Sequence, residues 1–463
     1  MKRKSVFTFL LALISTAVWA QTTPKIALKY SRLFATYEFV KKLSGNYPET
    51  IYKEIFNKSK YHTAAYQQLI AQLDALNLYY EFSYPGYPVA QKLSVGTTSI
   101  IQRNLIYSTS LNEFKKNTFG LIPAGDLFQF AGILEKFEPV YDSLVYLPNK
   151  DKFDRKFEAL EAFVHKVPLG QYFQNGIILY NAPWDYSIPI DIAVIPSIDE
   201  DGFTGTAFFN NIITEVPLNF NDNDALFSVL MHEIYHTLYN EQSLAFKNEL
   251  NGYFYSNASP NSQYANLLLN EALATAMGNG YVFEQINGKP DPEPWYNVKY
   301  IAEMSRRMYP LVKQYLAAKK PMDKQFVDEY IRLYDQNFSA WTTEPAHLFT
   351  YRNVLTGDEN DFKFLRKQYR RANYYENETG VTPAALQRQS QSAVTKVVII
   401  SANNKQQLKW VQETYPELKT WKYNPAQEFM YTVLLKDRTK LFVVNKLKST
   451  TEAIFTKNLP ATK

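Results

Sequence analysis

Residues 226–238 read Leu-Phe-Ser-Val-Leu-Met-His-Glu-Ile-Tyr-His-Thr-Leu, with His232 and His236 four positions apart. A helix is expected to open just upstream, at Asn221, Asp222, Asn223 and Asp224, whose short polar side chains can cap exposed backbone amides. Two histidines four apart on a helix share a face and can hold one tetrahedral Zn²⁺. Glu233, beside the first histidine, can reach a water on such a metal without ligating it, which makes it a candidate general base. The bland alternative is a helix whose two histidines are merely packed or hydrogen-bonded.

A catalytic zinc needs a third protein ligand and an open position. Downstream, residues 267–276 read Leu-Leu-Leu-Asn-Glu-Ala-Leu-Ala-Thr-Ala, a helix expected to start after Ser259-Pro260 and to end near Gly278. Glu271 lies between apolar neighbours, and a carboxylate buried there calls for a partner. The small side chains of Ala272 and Ala274 would let this helix approach the first closely. Zinc held by His232, His236 and Glu271 satisfies both needs, whereas a solvent-facing Glu271 satisfies neither.

The pair of motifs, His-Glu-x-x-His followed by Asn-Glu-x-x-Ala, resembles the gluzincin superfamily, to which thermolysin-type and many aminopeptidase-type zinc peptidases belong. The resemblance covers roughly residues 176–280. It implies His232, His236 and Glu271 as ligands, Glu233 as base and proton shuttle, and an edge strand before the motif helix that pairs with an extended peptide. Gly205, Thr206, Ala207 and Phe208, in the run Gly205 to Phe209, are the candidates for that strand, since a sheet edge offers unpaired amides and carbonyls. It also implies an oxyanion donor further along the chain, for which His347 and then Tyr351 are the candidates. Two departures stand out. His236 and Glu271 are 35 positions apart, implying an insertion at about residues 241–259, and Thr275 occupies the place of an aspartate that supports a ligand histidine in thermolysin-like enzymes.

Around this centre the patterning predicts an α+β protein, mainly helical, with a small mixed sheet beside the motif helix and a small C-terminal α/β domain. Residues 21–123 read as a mainly helical region, broken at Tyr84-Pro-Gly-Tyr-Pro88, and residues 124–380 as the peptidase-like domain. Three strands are expected before the motif helix, at residues 177–180, 190–195 and 205–216. The polar stretch 381–393 reads as a linker. Residues 394–463 follow as strand, helix and a strand pair turned at residues 436–439.

Lys2, Arg3 and Lys4 precede an apolar run ending at Val18-Trp19-Ala20, the pattern of a cleaved export leader over residues 1–20. Export to a bacterial periplasm or exterior is therefore expected, with no integral membrane segment after cleavage. The chain of 463 residues has no cysteine, so disulfides and thiolate-bound zinc are excluded and any metal must sit on His, Asp or Glu. The formal charge of +5 falls to +2 without the leader's three cations, which argues against nucleic acid as a partner. Lys363, Arg366, Lys367, Arg370 and Arg371 accordingly read as a solvated face. The expected activity is hydrolysis of a peptide or protein substrate. Two competing readings are a non-catalytic binding protein on a degenerate peptidase scaffold and a zinc hydrolase acting on a cell-wall amide.

Overall fold

A computed structural model describes residues 24–92, 94–199 and 204–460; the expected leader lies outside them. The protein is an α+β fold, mainly helical with small mixed sheets. Strands β1 (Ile26–Lys29), β2 (Glu81–Phe82), β3 (Val95–Gly96), β4 (Ile190–Ser197), β5 (Thr204–Phe208) and β6 (Asn211–Pro217) belong to the first half of the chain. Strands β7 (Tyr351–Thr356), β8 (Tyr374–Thr379), β9 (Thr395–Ile400), β10 (Phe429–Leu434) and β11 (Lys440–Asn445) belong to its last quarter. Among the described residues no helix is long and apolar enough to cross a membrane.

The first sheet has the order β1-β4-β6-β5, parallel except for β5, which pairs antiparallel with β6 at the edge. Because side chains alternate along a strand, β4 serves two cores. Ile190, Ile192 and Val194 enter the large core that also holds the motif helix, whereas Ala193 and Ile195 enter the N-terminal helical core. Asp191, buried on β4, is balanced by Lys29 at 2.9 Å and accepts a hydrogen bond from Tyr107. The expected boundary at residue 123 is not seen. Phe130, Leu134, Phe137 and Val145 pack into the same core as Phe34, Phe39 and Phe114, and β1 is the parallel neighbour of β4.

Two strand expectations are corrected. Residues 177–180 finish the helix Leu169–Tyr180, because this short apolar run completes a buried face with Leu169, Tyr172, Phe173 and Gly176. A four-residue apolar run fits strand and helix equally, and only its neighbours decide. Residues 205–216 form the hairpin of β5 and β6 rather than one strand, reversing at Phe209, whose φ is +53°.

The second sheet has the order β10-β11-β9-β7-β8. It joins the tail strands to β7 and β8, so the tail is not a separate domain. The expected linker carries the helix Pro383–Ser390, whose Gln389 donates to the Asn353 carbonyl on β7 at 3.0 Å. Polar composition concealed a helix that turns Ala385, Leu386 and Gln389 inward. Both sheet faces are covered, as parallel strands require. Val354, Val397, Ile399 and Val444 enter the large core, and Leu355, Val398, Ile400 and Val443 enter a third one.

Candidate metal centre

The motif helix spans Asn223–Asn240 and is capped by Asp222, whose carboxylate accepts from the Ala225 amide at 2.9 Å. Its inner face carries Leu226, Phe227, Leu230, Met231, Ile234 and Leu238 into the core, which holds the helix in one rotation. His232 and His236 consequently emerge together, with their Nε2 atoms 2.9 Å apart.

Glu271 arrives on the helix Ser262–Thr275. This helix does not end near Gly278; it passes into a π-helical stretch, Ala276–Val282. Gly278 is where the two helices touch. A Cβ there would lie 2.6 Å from the His232 amide nitrogen and the Ser228 carbonyl oxygen, so hydrogen alone fits. The close approach expected from Ala272 and Ala274 is made by a glycine one turn later.

Glu271 Oε2 stands 3.7 Å from His236 Nε2 and 4.0 Å from His232 Nε2. Tetrahedral zinc with ligand distances near 2.0–2.1 Å separates its ligand atoms by ~3.3 Å, a value inside the observed spread. Glu271 Oε2 is also buried without a hydrogen bond, and a buried carboxylate oxygen needs compensation. Two imidazoles and a carboxylate facing a shared point form a donor set suited to zinc. Burial would raise the Glu271 carboxyl, but His236, His232 and Arg371 outweigh it and hold it at about 2. Burial, reinforced by His236, depresses His232 to about 3 and favours the neutral imidazole that ligation requires.

The groups behind the histidines are neutral. His236 Nδ1 faces Asn270 Oδ1 at 3.0 Å, an oxygen that only accepts, so Nδ1 carries a hydrogen. Burial lowers this imidazole, but Glu271, Glu233 and Asn270 outweigh it and raise it to about 9, so a metal at Nε2 would displace a proton there. Thr275 Oγ1 lies 3.4 Å from His232 Nδ1, and the side chain of Asn279 reaches the same imidazole. Asn279 Oδ1 is buried without a partner; turned toward His232 Nδ1–H it would be satisfied at no cost in shape. The role expected of an aspartate thus falls to a hydroxyl and two amides.

Glu233 lies under the edge strand. A Cβ on Gly205 would stand 2.8 Å from Glu233 Cγ and 3.0 Å from its Oε1, and the carboxylate accepts from the Ala207 amide. Burial raises the Glu233 carboxyl to about 7, against the lowering influence of His236. Gly205, Thr206, Ala207 and Phe208 therefore form an edge strand against the candidate base, as expected.

The two expected oxyanion donors lie elsewhere. His347 is buried among Tyr264, Tyr300, Tyr334 and Trp341, and its Nε2 pairs with the Tyr334 hydroxyl at 2.9 Å. Burial depresses it to about 4, so it is a neutral core histidine. Tyr351 is buried on β7 behind Glu271. Asn373 Nδ2 donates both to its hydroxyl, at 3.2 Å, and to Glu271 Oε1, at 3.1 Å.

Two residues at the site escaped the sequence reading. The half-buried Tyr296 places its ring 5.8 Å from that of His232, and its hydroxyl accepts from Arg371 Nη2 at 3.1 Å. With its oxygen held by the guanidinium, the phenolic hydrogen is left to donate. Arg371, assigned to a solvated face, instead stands 3.8 Å from Glu271 Oε2. The only sequence signal for Tyr296 was its place in a proline-rich loop just after the ligand helix; Arg371 had none. Comparison with protein-family models, curated proteins and solved structures returned no match.

Proposed function

We propose that this chain is an exported zinc metallopeptidase, with His232, His236 and Glu271 as metal ligands. The observation that carries the reading is Glu271 Oε2, buried, unbonded and facing two imidazole nitrogens beside Glu233. Bound zinc supplies Lewis acidity that acidifies water and polarises a carbonyl. Glu233 takes the proton of the attacking water and returns it to the leaving nitrogen. Tyr296 donates its phenolic hydrogen to the oxygen on which negative charge develops, the part first assigned to His347 or Tyr351. The outer edge of β5 aligns an extended substrate by strand addition.

Metal analysis of the purified full chain, with turnover of a mixed peptide library, tests the proposal. One zinc per chain is expected in the wild type, with zinc lost in Glu271→Ala. Glu233→Gln should keep zinc and lose turnover. Absence of zinc after zinc is supplied, or undiminished turnover in Glu233→Gln, would sink the reading.

A further inference from the structure

Among its described residues, the run between the helices Ala64–Ala75 and Thr97–Tyr107 holds no regular structure beyond the two-residue strands β2 and β3. Stretches of this length without secondary structure are uncommon in compact folds unless they have a task. Pro85, Gly86 and Pro88 shape this one, Gly86 with φ +81°. The Tyr79 ring lies so close over Gly96 that a Cβ there would come within 2.8 Å of it. The run faces β8 across an open groove of about 630 Å³.

Tyr79, Tyr84, Tyr87 and Tyr375 line the groove. Tyr79 and Tyr375 are 56% and 58% exposed, so their rings are open to a ligand. Between them stand acceptors fixed by their neighbours. Glu81 accepts from the Tyr79 hydroxyl at 2.9 Å, and Glu376 accepts from Asn353 Nδ2 at 2.7 Å. Lys92 lies 2.8 Å from Glu241 and over the Tyr84 ring, so its charge is already engaged. Asn373, also in the lining, donates to Glu271 Oε1 at 3.1 Å, which sets the groove beside the candidate metal centre.

We propose that this groove binds a neutral glycan chain and so holds a glycan-borne substrate beside the metal centre; the second half rests on the hydrolase reading above. Sugar rings offer apolar C–H faces for tyrosine rings and a rim of hydroxyls for carboxylates and amides, the two kinds of surface present here. An acidic polymer would meet Glu81 and Glu376 with no free cation among the described lining residues. An extended peptide could pair with the outer edge of β8, but specificity in that mode comes from pockets for alternate side chains, and this groove presents flat ring faces.

The test is titration calorimetry on the full chain, zinc-loaded and zinc-stripped, with the β-1,4-linked N-acetylglucosamine tetramer and with a short uncharged peptide. Saturable binding of the tetramer is expected with or without metal, weakened about three- to tenfold by Tyr375→Ala and similarly by Tyr79→Ala. Tyr375→Ala removes an exposed ring, and an unchanged melting temperature verifies its fold. No saturable tetramer binding, or binding that neither variant weakens, overturns the proposal. So does binding of the peptide alone, which would assign the groove to strand addition on β8. Tetramer binding by a chain that takes up no zinc supports the groove and overturns the hydrolase reading; zinc uptake without tetramer binding does the reverse.

Discussion

Gly205 on the edge strand lies against Glu233 with room for hydrogen and nothing larger, since a Cβ would come within 2.8 Å of Glu233 Cγ. The strand proposed to align the substrate and the proposed base therefore set each other's position. Gly205→Ala should displace the carboxylate while leaving the three proposed metal ligands in place. Misplacing a reacting group by about 1 Å can cost ~100-fold in rate. A fall in kcat/KM of that order with unchanged zinc content is the expected result; wild-type kcat/KM would show that the contact does not constrain Glu233.

Tyr296 is the proposed oxyanion donor. Tyr296→Phe keeps the ring packed on His232 and removes the one hydrogen that could be donated. Loss of such a donor costs about 10²- to 10³-fold in kcat, with KM little changed. His347→Phe, at a residue enclosed by aromatic rings, should leave kcat within a few fold of wild type when both variants are assayed at neutral pH.

The supports behind the histidines make a separate prediction. Asn270 Oδ1 takes the His236 Nδ1 hydrogen at 3.0 Å, and replacing such a partner commonly weakens metal binding about 10- to 100-fold. Asn270→Leu should show that loss in competition with a chelator, whereas Asn270→Asp should tighten binding by making the imidazole more basic. Equal affinity in all three proteins would mean that the amide does not orient the ligand.

His347 supplies a pH signature of stability. Burial holds it at about 4 in the folded chain against 6.5 for an ordinary histidine, so between these values the unfolded chain binds the proton first. Its contribution is intact above pH 6.5 and lost as the pH falls toward 4, amounting to ~3 kcal/mol for a shift of this size. Urea unfolding midpoints should drop more steeply across pH 6.5 to 4 in the wild type than in His347→Phe, even though the variant starts lower because Tyr334 loses its partner. Parallel slopes would assign the acid sensitivity to other groups.

The pairing of His232 and His236 was legible because helical spacing sets which side chains share a face, and Glu271 because a carboxylate among apolar neighbours calls for a partner. The edge strand was legible because Gly205 to Phe208 lies shortly before that helix in the chain, with β6 alone between them. Strands β9, β10 and β11 announced themselves through alternation and turn residues. What escaped depends on contacts between distant segments. Arg371 looked like one charge on a basic helix face, and only the packing of the loop before β8 turns it toward Glu271. Asn270 stood in plain view one position before the ligand, but its role depends on where His236 lies in space. His347 had the right chemistry for an oxyanion donor and the wrong surroundings, set by rings from four other places in the chain. Gly278 read as a helix terminator, and it proved to be the point where two helix backbones meet.

The order of strands in the second sheet also bears on when the centre can be completed during synthesis. Asn373 and Arg371 lie just before β8, whose sheet neighbour is β7, and β7 leans in turn on β9, the parallel neighbour of β11. A chain growing from its N-terminus makes both histidines and Glu271 early, yet the sheet that carries their last neighbours lacks two strands until residue 445 has been made. The candidate ligands are thus made well before the strands that frame their last neighbours, and the seating of Asn373 and Arg371 draws on chain as far as residue 445.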